Sequence, residues 1–165
     1  MDNPPDEADR AIPYCTLRLA GRLFGFDLRA VKEVTAPTAI TPVPHAPVEV
    51  LGYMNLRGHI ILALDLRRLM GMEPAPVSAD SRLVLFKAAV GQSFGVLVDQ
   101  VGDIAHVGAD CAETRRVEED SPADADSPWQ RAAGLIAGVG KLDGELLVLV
   151  DPHRLLPVVA EVMKG

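Results

Sequence analysis

Aromatic residues make up only 4% of the 165-residue chain, so any core must be built mainly from aliphatic side chains. No apolar run approaches the roughly 18 residues that a membrane-spanning helix requires. Cysteine is almost absent. Cys15 and Cys111 stand far apart, with neither the spacing of a zinc ligand set nor the density of a disulfide scaffold. Cys15 falls in an apolar, strand-like run and is expected to be a buried, inert thiol. The opening stretch "MDNPPDEADR" lacks the basic and apolar segments of a secretory signal, so a cytosolic location is expected.

Positive charge is also in short supply. Lys and Arg number 16 against 23 Asp and Glu, a net charge of −7. Residues 1–13 hold four acids and one base, and residues 109–131 hold seven acids and three bases. These two segments account for the whole imbalance, which leaves the remainder neutral. A nucleic-acid-binding barrel shows a basic face and salt-dependent binding, and none is present here.

The patterns that carry catalysis are missing as well. "GLIAGVGKL" resembles a phosphate loop only superficially: Leu135 stands where its first glycine belongs, and Leu142 where Ser or Thr would bind magnesium. His45, His59, His106 and His153 pair with no Cys, His or carboxylate at ligand spacing, so no metal site is expected. There is no Gly-x-Ser-x-Gly, and no Cys has a His nearby to activate it. The expectation is a protein without catalytic residues, metal or cofactor.

What the sequence does contain is an internal duplication. "LGYMNLRGHIILALDLRRLM" (51–70) aligns without gaps on "AGVGKLDGELLVLVDPHRLL" (137–156), placing Gly52 on Gly138, Gly58 on Gly144 and Asp65 on Asp151. "GRLFGFDLRAVKEV" (21–34) aligns on "GQSFGVLVDQVGDI" (91–104), placing Phe24 on Phe94, Gly25 on Gly95 and Glu33 on Asp103. Each copy reads mainly as β. "YCTLRLAGRLFGFDL" and "RLVLFKAAVGQSFGVLV" are hairpin patterns, and "HIILAL" and "ELLVLV" are apolar runs of strand length. An aspartate follows each run and precedes a few residues of helical pattern, with Pro152 at the first position of the second. Asp65 therefore reads as a helix N-cap and not as a catalytic carboxylate. The Pro-rich "APTAITPVPHAPVEV" is expected to be an extended crossing segment.

These residues carry a family resemblance. "FGFDLRAVKEV", "ITPVPHAPVEVLGYMNLRGHIILALDLRRLMG", "FGVLVDQVGDI" and "GLIAGVGKLDGELLVLVDPHRLL" resemble, in order, the CheW-type coupling proteins of bacterial chemosensory systems. Regulatory domains of the histidine kinase CheA and the N-terminal half of CheV belong to the same family. The stretch shows no receiver, phosphotransfer or ATPase pattern, so the stand-alone adaptor is the nearer likeness. The resemblance implies a mainly β fold of two small SH3-like, five-stranded barrels around a shared core, with short helices after the Asp-capped strands. It places an acidic N-terminal tail at 1–12 and the domain at 13–158, with halves of about 13–72 and 80–158. A mobile acidic loop is expected at 108–131.

The resemblance further implies a non-catalytic adaptor that joins CheA, through its regulatory domain, to methyl-accepting chemoreceptors in arrays at the inner membrane. Receptor helices would dock between the barrels, and an exposed barrel face would meet the kinase. By motif position, Val31, Glu33, Gly52, Arg57 and Ile104 match receptor-contact positions. Each also has a structural reading: Val31 and Ile104 as core, Gly52 as a backbone requirement shared with Gly138, and Glu33 as a turn acid matched by Asp103. Arg57 differs, because its counterpart Asp143 carries the opposite charge. A guanidinium there suits a partner or an intramolecular pair with Glu33. No kinase-contact residue is assigned; only the region from Ala36 to Val50 is expected to face the kinase. Trp129 reads equally as a partner anchor or a barrel end. The competing readings are an adaptor of a chemosensory pathway controlling pili or a second messenger, and a small β-barrel enzyme.

Overall fold

The structure, a computed structural model, describes residues 11–87, 93–107, 134–155 and 157. Residues 1–10 of the tail expected at 1–12, the loop 108–131, Cys111 and Trp129 lie outside the described residues, while Ile12 opens the first strand. Among the described residues, eleven strands form two sheets. In chain order they are β1 (Ile12–Leu19), β2 (Arg22–Asp27), β3 (Val31–Thr35), β4 (Ile40–Thr41), β5 (Val50–Leu56), β6 (His59–Asp65), β7 (Arg82–Phe86), β8 (Phe94–Val98), β9 (Gln100–Val107), β10 (Ile136–Leu142) and β11 (Glu145–Val150). The single helical turn α1 (Leu66–Leu69) follows β6. None of the helices described is long and apolar enough to cross a membrane.

The first sheet runs β10-β11-β2-β1-β9 and the second β3-β7-β8-β6-β5-β4. The mainly β expectation holds, and the first sheet has the expected five strands. The second has six, because the Pro-rich crossing segment adds the two-residue β4 at one edge, where Ile40 and Thr41 pair with Met54 and Tyr53.

Neither sheet is built from one sequence copy. The hairpin β1–β2 of the first copy lies beside β9, β10 and β11 of the second, while the hairpin β7–β8 of the second lies beside β3 to β6 of the first. The exchange is made by two parallel contacts, β11 with β2 and β6 with β8, and two antiparallel ones, β1 with β9 and β3 with β7. The parallel registers correspond residue for residue: Val148 faces Phe24 in one sheet, and Leu62 faces Phe94 in the other. Val34 faces Val84 as Ile104 faces Cys15. The duplication is thus an intertwined pseudo-symmetric pair, in which each half completes the other's sheet.

This plan explains the continuous apolar runs. A strand with only one buried face alternates apolar and polar residues; a strand buried on both does not. Along β8, Phe94, Val96 and Val98 enter a core shared by both sheets, while Leu97 points into the second sheet's own interior beside Met54, Ile61 and Leu83. The first sheet encloses Tyr14, Leu23, Val107, Leu147 and Leu149. Phe86 joins the two halves of the shared core, edge-to-face with Phe26 at 4.9 Å and tilted on Phe94 at 4.9 Å. Gly95 lies where strands press together: a Cβ there would stand 2.6 Å from Leu85 Cδ2 and 2.9 Å from the Val84 carbonyl oxygen. Cys15 is buried with a free thiol, and burial raises its pKa, which keeps it protonated and unreactive.

Asp65 caps α1 as expected. Its Oδ1 accepts from the Arg67 amide at 3.0 Å, and Asp151 repeats the bond to the His153 amide at 3.0 Å. A third cap was not foreseen: Asp27 accepts from the Arg29 amide at 2.9 Å. The segments after Asp27 and Asp151 are short 3-10 turns, Leu28–Ala30 and Pro152–Arg154.

Candidate functional site

Arg57 sits at the tip of the β5–β6 hairpin with φ of 50°, followed by Gly58 at 87°. Two successive positive φ values define the tight turn whose twist suits an antiparallel hairpin. The Asn55 side chain stabilises it by accepting from the Gly58 amide at 3.0 Å. Asp143 and Gly144 adopt the same pair of angles, 51° and 80°, so the backbone at this turn is common to both halves and only the side chains differ.

From that turn the Arg57 guanidinium donates through Nη2 to Glu33 Oε1 on β3. β3 is one edge strand of the sheet, and the β5–β6 hairpin lies toward the other edge. The contact exists because the sheet curls, and it ties its two sides together. Both side chains remain accessible, Arg57 at 66% and Glu33 at 31%. The partner predicted for Arg57 within the chain is therefore the one it has.

The other expected positions separate. Val31 is buried in the shared core opposite Phe86. Gly52 occupies a bulge in β5 with φ of 141°; a Cβ would lie 2.1 Å from the Thr41 carbonyl oxygen and 2.9 Å from Pro42 Cα. That position serves the close approach of β4. Ile104 stands on β9 in the first sheet, 55% exposed, and its counterpart Val34 is 38% exposed. The sequence reading missed a second matched pair of exposed aliphatics, Ile60 at 59% and Leu146 at 56%. Their common place in the two repeats could have marked them, since each interrupts no hydrophobic pattern but faces outward.

In the first sheet the counterparts of Glu33 and Arg57 are Asp103 and Asp143. Both line one cleft of about 550 Å³, together with Ile104 and Glu145. Arg18 reaches Glu145 from β1, with Nη2 donating to Oε1 at 2.9 Å, and this pairing holds the Glu145 carboxyl below its usual range. A larger, mainly apolar groove of about 770 Å³ lies between the Met70–Glu73 segment and the β2–β11 side of the first sheet, with Phe24, Leu146 and Val148 in its wall. No cluster of metal-ligating side chains occurs among the described residues.

Comparison with known proteins agrees with this architecture. The CheW-like domain model matches residues 13–160. A chemotaxis protein CheW from Rhizobium meliloti is 31% identical over 141 residues, covering 85% of this chain and 84% of the relative. One from Treponema pallidum is 27% identical over 154 residues, covering 89% and 83%. The crystal structure of the scaffolding protein TtCheW from Thermoanaerobacter tengcongensis superposes with a TM-score of 0.71 at 26% identity, over 85% of this chain and 88% of that one. The match takes in both sheets and every element of the intertwined repeat, so the chain belongs to the CheW-like family and is a non-catalytic chemotaxis scaffold.

Proposed function

We propose that this chain couples the histidine kinase CheA to methyl-accepting chemoreceptors, in cytoplasmic arrays held at the inner membrane. The observation that carries the reading is the accessible Arg57–Glu33 pair at a turn whose fold equivalent, Asp143, has the opposite charge. An exposed ion pair contributes only about 0–1 kcal/mol to stability, so folding alone gives little reason to place arginine there. Arginine is enriched at binding hot spots, where its fork of donors can serve two acceptors at once. Glu33 holds the fork in position on a curled sheet while donors remain available to a receptor helix.

The expected receptor contacts then fall into two kinds. Arg57, Glu33 and Ile104 present side chains; Val31 and Gly52 shape the strands beneath. Coupling needs one rigid body with two faces, so that binding at one face biases the other partner. The intertwined sheets supply that body, since neither can move without the strands it borrows from the other half.

The test is a pair of binding assays with the full chain, one against the regulatory domain of the cognate kinase and one against a receptor signalling tip, followed by the ternary mixture. Binding to each, with kinase activity placed under receptor control only when all three are present, supports the proposal. Absence of binding to both would overturn it.

A further inference from the structure

The parallel pairs β6–β8 and β11–β2 end alike in backbone but not in chemistry. Beyond β6 and β8, Arg67 crosses to Asp99, with Nε donating to Oδ1 at 2.8 Å and a second bond from Nη2 to Oδ2. The registers of the two pairs place His153 at the position of Arg67 and Arg29 at that of Asp99. The acid of the bridge is thus replaced by a second base. Arg29 turns back to its own cap, Asp27, at 2.7 and 3.0 Å, and His153 Nδ1 lies 3.2 Å from Asp151 Oδ1. Among the described residues no hydrogen bond or ion pair joins the two strand ends, and a cleft of about 310 Å³ opens between them.

Three further features make this cleft a binding site and not a mere gap. Tyr14 lines it and is only 9% exposed, yet its hydroxyl forms no hydrogen bond among the described residues. The ring is buried, but the hydroxyl oxygen is not among the buried polar atoms that lack a partner; it opens on the cleft, where it can donate to a ligand acceptor. Burial and the neighbouring Asp27 raise the Tyr14 pKa, so the phenol stays a donor. Lys87 enters from the end of β7 and makes no ion pair among the described residues. The walls are apolar, from Val150 and Pro152, and the volume suits a few heavy atoms, at the small end for ligand pockets.

We propose that this cleft binds a small organic carboxylate, which takes the place that the Asp99 carboxylate holds in the other half. The Tyr14 hydroxyl and the Lys87 ammonium donate to it, and the Arg29 nitrogen not engaged by Asp27 adds a third donor. Asp27 and Asp151 repel the charge, but each is held by its own capping and basic contacts, which leaves Lys87 as the cation of the cleft with no ion pair among the described residues. The short apolar walls favour a body of two to four carbons over a longer chain.

The experiment is amide chemical-shift titration of the full-length protein with acetate, propionate and succinate, and separately with inorganic phosphate, at constant ionic strength. Saturable shifts at Ala30, Ala137 and His153 in the millimolar range are expected with at least one carboxylate. Tyr14→Phe keeps the packed ring and Lys87→Met keeps the stem; each should weaken binding about tenfold, or ~1.4 kcal/mol. Shifts that fail to saturate, or that saturate equally in both variants, would show an adventitious additive only and overturn the proposal. Saturation by phosphate and by no carboxylate would overturn it too. None of these readouts depends on kinase or receptor, so the result stands apart from the adaptor reading.

Discussion

Arg57 and Asp143 share one backbone conformation, φ 50° and 51° at the tips of equivalent hairpins, and carry opposite charges. The strand opposite holds an acid in both halves, Glu33 and Asp103. The second sheet therefore closes its mouth with an ion pair, and the first leaves two acids lining an open cleft. Arg57→Glu is predicted to cost less than about 1 kcal/mol in urea unfolding, the usual scale for an exposed pair. Receptor co-sedimentation should fall by about tenfold or more, the scale of an arginine hot spot. The exchange Glu33→Arg with Arg57→Glu should recover the stability and not the binding. Recovery of both would reduce Arg57 to an intramolecular role.

Gly52 gives the contrasting case. Its φ of 141° and the Thr41 carbonyl oxygen only 2.1 Å from a would-be Cβ combine strain with a backbone clash. Gly52→Ala is expected to lose roughly 2–4 kcal/mol, at the upper end of single substitutions. Gly58→Ala has φ of 87° but open space around it, so only the conformational cost of about 1–2 kcal/mol applies. Thermal unfolding of the two variants should show this difference. Equal losses would mean that β4 yields easily and that the approach to Thr41 is not what requires glycine.

Much of this was legible in the residues, for a stateable reason. A strand with both faces buried leaves an uninterrupted apolar run, so "HIILAL" and "ELLVLV" announced themselves. The recurrence of Asp65 as Asp151 identified a cap, and the Asp143 counterpart singled out Arg57. The exchange of strands between halves was not legible, because parallel pairing of β2 with β11 leaves no mark on either sequence. β4 was hidden by the prolines around Ile40, which signal an extended segment without saying that two residues of it will pair. Asp27 escaped notice as a cap because its counterpart Leu97 breaks the repeat. The bridge from Arg67 to Asp99 joins residues from different copies, and nothing local to either position records it.

The cap reading of Asp65 separates two substitutions. Asparagine accepts the Arg67 amide bond and carries no charge into a buried place, and burial raises the Asp65 pKa. A carboxyl raised on folding favours the folded state less as the pH climbs through that raised value, so Asp65→Asn should hold or exceed wild-type stability at neutral pH. Asp65→Ala removes the cap and should cost about 1 kcal/mol. Both proteins should retain partner binding. Loss of binding by a well-folded Asp65→Asn variant would restore a chemical role to the carboxylate.

Asp99 behaves in the opposite sense. Hydrogen bonds from Arg67, and then from the Ala20 amide, hold its carboxyl below the usual aspartate range against the effect of partial burial. Its stabilising contribution is therefore complete above the unfolded-state value of about pH 4 and disappears as the pH falls through the depressed folded-state value. Asp27, lowered chiefly by Arg29, adds to the same acid-side loss. Urea midpoints followed downward from pH 5 should fall in the wild type, and Asp99→Asn should flatten that fall while lowering the plateau. Arg67→Met should flatten it in the same way, because the depressed value of Asp99 depends first on the guanidinium. A steep fall retained in both variants would move the acid sensitivity away from the β6–β8 strand ends and onto Asp27.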